Sequence, residues 1–218
     1  MKIRINKAHY PVTVLGPGRR IGVWLQGCSI HCRGCVSQDT WAPDPGREMT
    51  VARLMRWCRE VATSGLDGIT ISGGEPFDQP LALRHLLDAL HAWRTETSDD
   101  FDILCYSGYP LTILQKRHSQ LLERLDALIP EPFVETLPRT QLWRGSSNQT
   151  LVPLSARGKK RYAAYIDALA DSAGKRIQAQ VDGDQIWYIG IPERGDMPVV
   201  EAQCRERGVA FSSVSWRQ

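Results

Sequence analysis

The chain has 218 residues, 42% hydrophobic and 23% charged, with a net charge of +3 from 27 basic and 24 acidic residues. That balance excludes wholesale disorder and suits one compact domain, or one with a small appendage. The charge is too mild to imply a nucleic-acid or membrane partner. No apolar run reaches membrane-span length, and no apolar run follows the basic N-terminus as in a signal peptide, so the cytoplasm is the expected compartment.

Residues 20–26 read as a short buried strand that delivers the chain into Cys28, Cys32 and Cys35. Thr50 is placed to cap a helix running to about Thr63. Val51, Leu54, Met55, Cys58, Val61 and Ala62 recur there at helical spacing, and Gly65 follows as the stop. Residues 66–72 form a second strand ending in Gly73-Gly74-Glu75-Pro76. Asp78 is expected to cap the next helix, with Pro80 in its first turn and Leu83, Leu86, Leu87 and Leu90 on one face. A third strand, 101–106, runs into Ser107-Gly108-Tyr109-Pro110, followed by a helix over 111–123 and a strand over 127–129.

Strand and helix in alternation predict an α/β fold around a parallel sheet, with glycine-bearing loops at the C-terminal strand ends where such folds place ligands. After about Ser155 the pattern changes. A basic run, 157–161, reads as a solvated linker or helix start, and a helix is expected over 162–171. Two strands over 176–181 and 185–191 are joined through Asp182-Gly183-Asp184, a hairpin signal. The expected division is a core over 1–155 and a small α+β extension over 156–218.

Three of the six cysteines fall within eight residues, as Cys28-Ser-Ile-His-Cys32-Arg-Gly-Cys35, while Cys58, Cys105 and Cys204 are scattered. A tight trio reads as a metal or cluster site, whereas scattered cysteines behave as small buried hydrophobes. Three thiolates in one loop can hold three irons of a cubane and leave the fourth without a protein ligand. Zinc would need a fourth ligand, for which His31 is available but sits next to Cys32 in a tight loop; inert thiols are the remaining alternative. Gly73-Gly74-Glu75 would come to the same sheet edge. Its glycines permit close approach of a ligand's polar groups to the main chain, and Glu75 could receive an ammonium.

The C-x3-C-x2-C run with a GGEP strand end resembles the radical S-adenosylmethionine superfamily. Gly16-Pro17-Gly18-Arg19, Gln26-Gly27-Cys28, Gln38-Asp39-Thr40-Trp41, Tyr106-Ser107-Gly108-Tyr109 and Trp143-Arg144-Gly145-Ser146-Ser147-Asn148-Gln149 further resemble the anaerobic ribonucleotide reductase activating proteins, colinearly over residues 8–152. The resemblance implies a partial (β/α) barrel. It implies a [4Fe–4S] cluster on Cys28, Cys32 and Cys35, and S-adenosylmethionine beside Gly34, Val36, Gly73, Gly74, Glu75 and Ser107. For Ser107 a plain turn role stands equally, and for 144–149 a site loop and a structural turn both stand.

The resemblance also implies the reaction. An electron from a flavodoxin-like donor cleaves the sulfonium reductively, and the 5′-deoxyadenosyl radical takes a hydrogen atom from a glycine of a large partner enzyme. No catalytic residue beyond the cofactors is needed. Two departures bear on the partner: the segment 129–133, Ile-Pro-Glu-Pro-Phe, and the tail beyond 155. The alternatives are radical modification of a peptide or small molecule and, from another class, a non-catalytic metal-binding module.

Overall fold

The computed structural model describes residues 1–170 and 177–217. Among these, β1 (Lys2–Val12), β2 (Arg20–Leu25), β3 (Glu48–Thr50), β4 (Gly68–Gly73), β5 (Asp102–Tyr106), β6 (Ala127–Ile129) and β7 (Val152–Pro153) form one sheet in the order β3-β1-β2-β4-β5-β6-β7. The four central strands, β2, β4, β5 and β6, run parallel. β1, β3 and β7 pair antiparallel at the flanks. The fold is therefore mixed α/β around a parallel centre.

The helices α1 (Val51–Val61), α2 (Pro80–Thr97) and α3 (Leu111–Leu122) connect or flank these strands. Thr50 caps α1 by accepting a hydrogen bond from the Arg53 amide, and Val51, Leu54, Met55 and Cys58 are buried along its inner stripe. Leu83, Leu86, Leu87 and Leu90 of α2 join the same core. Alternation along β5 sends Ile103 and Cys105 into that core and Leu104 into a second cluster with Ala127, Ile129, Trp143 and Tyr162. Of the three scattered cysteines, Cys58 and Cys105 are buried as expected, whereas Cys204 is only half-buried.

Two expectations are corrected. Asp78 does not cap α2: the residue before that helix is Gln79, which makes no side-chain cap bond. Asp78 instead accepts hydrogen bonds from the Ser29 amide and the Tyr109 hydroxyl, a tertiary demand that overrides the local one. The helix expected over 162–171 lies earlier, as α4 (Ala156–Tyr162), with Ser155 accepting from the Gly158 amide. The basic run 157–161 lies inside that helix, so of its two readings the helix start holds. Asp171 and Arg176, at the ends of two expected elements, lie outside the described residues.

Beyond α4, β8 (Ile177–Asp182) and β9 (Gln185–Gly190) make the expected hairpin, and α5 (Asp196–Glu206) follows. β1 and the short strands β3 and β7 were not foreseen.

A buried ion pair ties the N-terminal ends of the parallel strands together. Arg20, Gly68 and Asp102 are register partners on β2, β4 and β5. A Cβ on Gly68 would stand 2.1 Å from Nη1 of Arg20, so the absent side chain lets the guanidinium cross β4 to reach Asp102. Arg20 donates to both Asp102 oxygens (2.7 and 3.1 Å), to Thr70 Oγ1 and to the Ile69 and Pro17 carbonyls. Every guanidinium donor is thereby satisfied. The Tyr162 hydroxyl of α4 donates to Asp102 as well.

Removing one partner of such a pair strands the other charge, so Arg20→Met is expected to cost about 3–5 kcal/mol by urea unfolding. The double variant Arg20→Met/Asp102→Leu should recover much of that loss. Equal loss in both would show that shape, not charge, sets the cost.

Candidate functional site

Because β2, β4, β5 and β6 are parallel, their C-terminal ends lie along one edge, and the loops leaving them enclose a cavity of about 220 Å³. Cys28, Cys32 and Cys35 line it, and so do Gly34, Val36, Gly73, Gly74, Glu75 and Ser107. All nine residues singled out in the sequence thus face one space.

The cysteine loop is closed at its base by main-chain bonds, Gly27 N–H to Thr40 O (2.7 Å) and Cys28 N–H to Trp41 O (3.0 Å). The Gln26 side chain adds bonds to the Asp39 and Ala42 carbonyls. Asp78 holds the outer turn through Ser29. Within the loop, Cys35 N–H donates to Cys32 O. His31 is exposed, with its ring stacked on Trp41 at 4.8 Å.

Burial raises the pKa of all three thiols. Hydrogen bonds partly oppose it, from the Phe133 amide at Cys32 and the Ser37 amide at Cys35, and the neighbouring Cys35 and Cys28 add to the rise at Cys32. A metal would therefore displace protons as it binds. Among the described residues no three His, Cys, Asp or Glu side chains gather for a single ion. A cubane makes a different demand, one thiolate per iron around a bulky group. Three half-buried thiols spaced along the wall of one cavity fit that demand.

Gly73 and Gly74 line the cavity and also serve the fold. The close approach they permit is to the protein's own main chain. A Cβ on Gly74 would stand 2.1 Å from the Gly27 carbonyl oxygen, and one on Gly73 would stand 2.4 Å from the Leu25 amide nitrogen. Gly74 N–H donates to Leu25 O (2.8 Å) and Glu75 N–H to Gly27 O (2.9 Å). The glycine pair therefore locks the end of β4 to the residue preceding Cys28.

Glu75 is only 1% exposed. Its carboxylate accepts from the Phe77 amide (3.0 Å), the Ser107 hydroxyl (2.9 Å) and the Gly108 amide (2.7 Å). Desolvation raises its pKa to about 7 despite those bonds. Ser107 is thus a tie between Glu75 and the Tyr109 amide as well as part of the wall. The 144–149 segment is both a wall and a clamp. Gly145 and Gln149 line the cavity, while Gln149 and Asn148 donate to the Glu131 and Pro132 carbonyls.

Glu131 and Phe133, in the departing segment, also line the cavity, as do Gly190, Ile191 and Pro192 from the extension. Sequence reasoning missed these. The first two follow from the rule already used for the other loops, since they leave the C-terminal end of β6. The hairpin residues carry no local signal.

Since the lock at Gly74 is main chain against main chain, Gly74→Ala should displace the cysteine loop and lower iron and sulfide content after anaerobic reconstitution. Parental iron content would show that the loop yields. Glu75 sets a pH dependence. With a folded pKa near 7 against an ordinary value of 4.5, the folded state holds a proton that the unfolded chain has lost, so this group's contribution to stability falls as pH rises between those values. Glu75→Gln removes that slope. From pH 5 to pH 8 the stability difference should move in the variant's favour by about 2.5 kcal/mol, read by unfolding of cluster-free, reduced protein.

Residues 14–152 match the family model described as a 4Fe-4S single cluster domain. The chain is 31% identical over 147 residues to the anaerobic ribonucleoside-triphosphate reductase-activating protein of Vibrio cholerae, covering 66% of this chain and 94% of that one. The Escherichia coli K12 protein of the same name gives the same figures. The one from Enterobacteria phage T4 is 29% identical, over 63% of this chain and 86% of that one. The solved structure of QueE from Escherichia coli, at TM-score 0.41 and 18% identity over 58% of this chain and 68% of that one, is too distant to carry an inference. The clustered cysteines, the glycine lock and the colinear match over two thirds of the sequence make this chain a member of the 4Fe-4S single-cluster family of radical S-adenosylmethionine enzymes, alongside the anaerobic ribonucleoside-triphosphate reductase-activating proteins.

Proposed function

We propose that the protein cleaves S-adenosylmethionine reductively and installs a glycyl radical on a partner enzyme such as an anaerobic ribonucleotide reductase, in the cytoplasm, with a flavodoxin-like electron donor. The observation that carries this is the single cavity shared by three cysteines and the ends of four parallel strands. The names of the relatives support the partner class. In this reading the parallel core, residues 1–155, is the superfamily's partial barrel and residues 156–218 are the extension.

Cluster and S-adenosylmethionine, when bound, would supply a one-electron reductive cleavage at this site. The chain's residues do the rest by holding and shielding. Cys28, Cys32 and Cys35 ligate three irons. Gly73, Gly74 and Glu75 receive the methionine end, and Gly34, Val36 and Ser107 complete the wall. The Glu75 carboxylate brings a pre-fixed acceptor to the site, since three internal donors already orient it. Phe133, Ile191 and Pro192 give the cavity apolar walls that limit water.

Anaerobic reconstitution, reduction and addition of S-adenosylmethionine should yield 5′-deoxyadenosine above a cluster-free control. Alanine at Cys28, Cys32 or Cys35 should abolish both the cluster's absorbance and that product. Alanine at the buried Cys58 should change stability alone. A stable cluster with no product under a strong reductant would overturn the proposed chemistry.

A further inference from the structure

A second cavity, of about 520 Å³, opens between the extension and the core beside the cysteine site. The two share Trp24, Val36, Ser37, Gly190 and Pro192 as walls. One side of the second cavity is the unbroken run 184–190, the whole of β9, and the facing side is the unbroken run 210–216. Side chains alternate across a strand. A cavity touched by every residue in a row therefore lies along the strand's edge, not over a face. β9 pairs with β8, and among the described residues its other edge has no main-chain partner.

The register says which residues face that edge. Asp182 and Gln185 flank a two-residue turn and form the hydrogen-bonded pair. Alternation makes Val181–Ile186 and Ala179–Tyr188 the pairs that do not bond to each other, so Ile186 and Tyr188 direct their N–H and C=O groups outward. The opposite wall is fastened directly behind the third cysteine. Gln38 N–H donates to Ser215 O (2.9 Å), and the Ser215 hydroxyl donates to Val36 O (2.8 Å). The charges around the slot come in both signs, with Lys7 paired to Asp39 and Arg47 to Asp44. That balance suits a neutral main chain rather than a phosphate-rich ligand.

We propose that this slot binds an extended polypeptide segment, which adds as a strand to the outer edge of β9 and leads toward the cysteine cavity through the shared wall at Val36, Ser37, Gly190 and Pro192. Strand addition takes its affinity from main-chain bonds and its selectivity from alternate side-chain pockets. Under the function proposed above, that segment is the part of the partner that receives the radical. The family match ends at residue 152, so β9 and the 210–216 wall lie outside it.

The test uses the full, cluster-loaded chain and a phage-displayed library of random peptides of about ten residues, enough to span β9 with flanks. Enriched sequences are remade as capped, fluorescein-labelled peptides. They should slow amide exchange at Ile186 and Tyr188. Ile186→Pro removes an outward N–H while leaving the ladder to β8 intact, and should weaken binding about tenfold. Ala179→Pro makes the same change on the hairpin's opposite edge and should stay within about twofold of the parent. No enrichment over the bare support overturns the proposal, and so does equal binding by Ile186→Pro or equal loss in Ala179→Pro. Production of 5′-deoxyadenosine without peptide is measured in parallel. Product without peptide binding sinks the slot and leaves the radical chemistry standing; binding without product does the reverse.

Discussion

No side chain can stand between the ends of β2 and β4, and the site depends on that constraint. Leu25 and Gly73 are the last register partners of the two strands. Beyond them the ladder continues through Gly74 to Leu25 and Glu75 to Gly27, and so reaches the residue before Cys28. A loop of three cysteines is otherwise costly to order, because each fixed residue gives up about 1–2 kcal/mol of backbone entropy. Here its base is held on both sides, by Gly27 and Cys28 bonding to Thr40 and Trp41 and by the glycine lock. The same lock turns Glu75 inward, where its carboxylate collects donors from the loop after β5. Three strand ends are thereby coupled through one buried acid. A group whose pKa is raised to about 7 by burial is the physical cost of that coupling.

The opposite end of the sheet uses the same logic with different chemistry. At the C-terminal ends the absent side chains of Gly73 and Gly74 admit main chain, and at the N-terminal ends the absent side chain of Gly68 admits the Arg20 guanidinium. A buried ion pair is weak evidence of net stability, but this one is fully hydrogen-bonded and its bonds run across three neighbouring strands. Arg20 bonds to groups on β4 and β5, and Tyr162 of α4 bonds to Asp102. α4 lies past the expected core boundary at residue 155, yet it is joined to the central strands through this pair. Its Ser155 cap also donates to Asp126, at 2.6 Å.

What the sequence disclosed follows from how local each signal is. The cysteine spacing, the Gly73-Gly74 step, the stripe of α1 and the Asp182-Gly183-Asp184 turn are set by neighbours a few residues away, and each was legible. β1 was not, although Ile3 and Ile5 alternate with Lys2 and Arg4. Register shifts between Ile5 and Lys7 and between His9 and Val12 break the period that marks a strand. β3 and β7, at three and two residues, are too short to show any period. Asp78 looked like a cap because Asp favours that position, and only the folded chain brings Ser29 and Tyr109 to it. α4 was legible only as a possible helix start, and the reason for Gly158 inside it is long-range, since a Cβ there would meet the Asp126 carbonyl oxygen.

Residues beyond 152, where the family match ends, add walls to the cysteine site. Gly190, Ile191 and Pro192 close one side of the cysteine cavity, and Ser215 and Trp216 accept hydrogen bonds from Gln38, three residues after the last cysteine. The tail thus touches the cluster loop's exit while the glycine lock holds its entrance. In a core without such a tail, the exit from Cys35 would rely on the loop's own turn, in which Thr40 bonds back to Ser37. The added contacts set β9 and the 210–216 segment on two sides of the space beside Val36 and Ser37. A chain that shares its cofactor chemistry with its relatives can differ from them in what it admits.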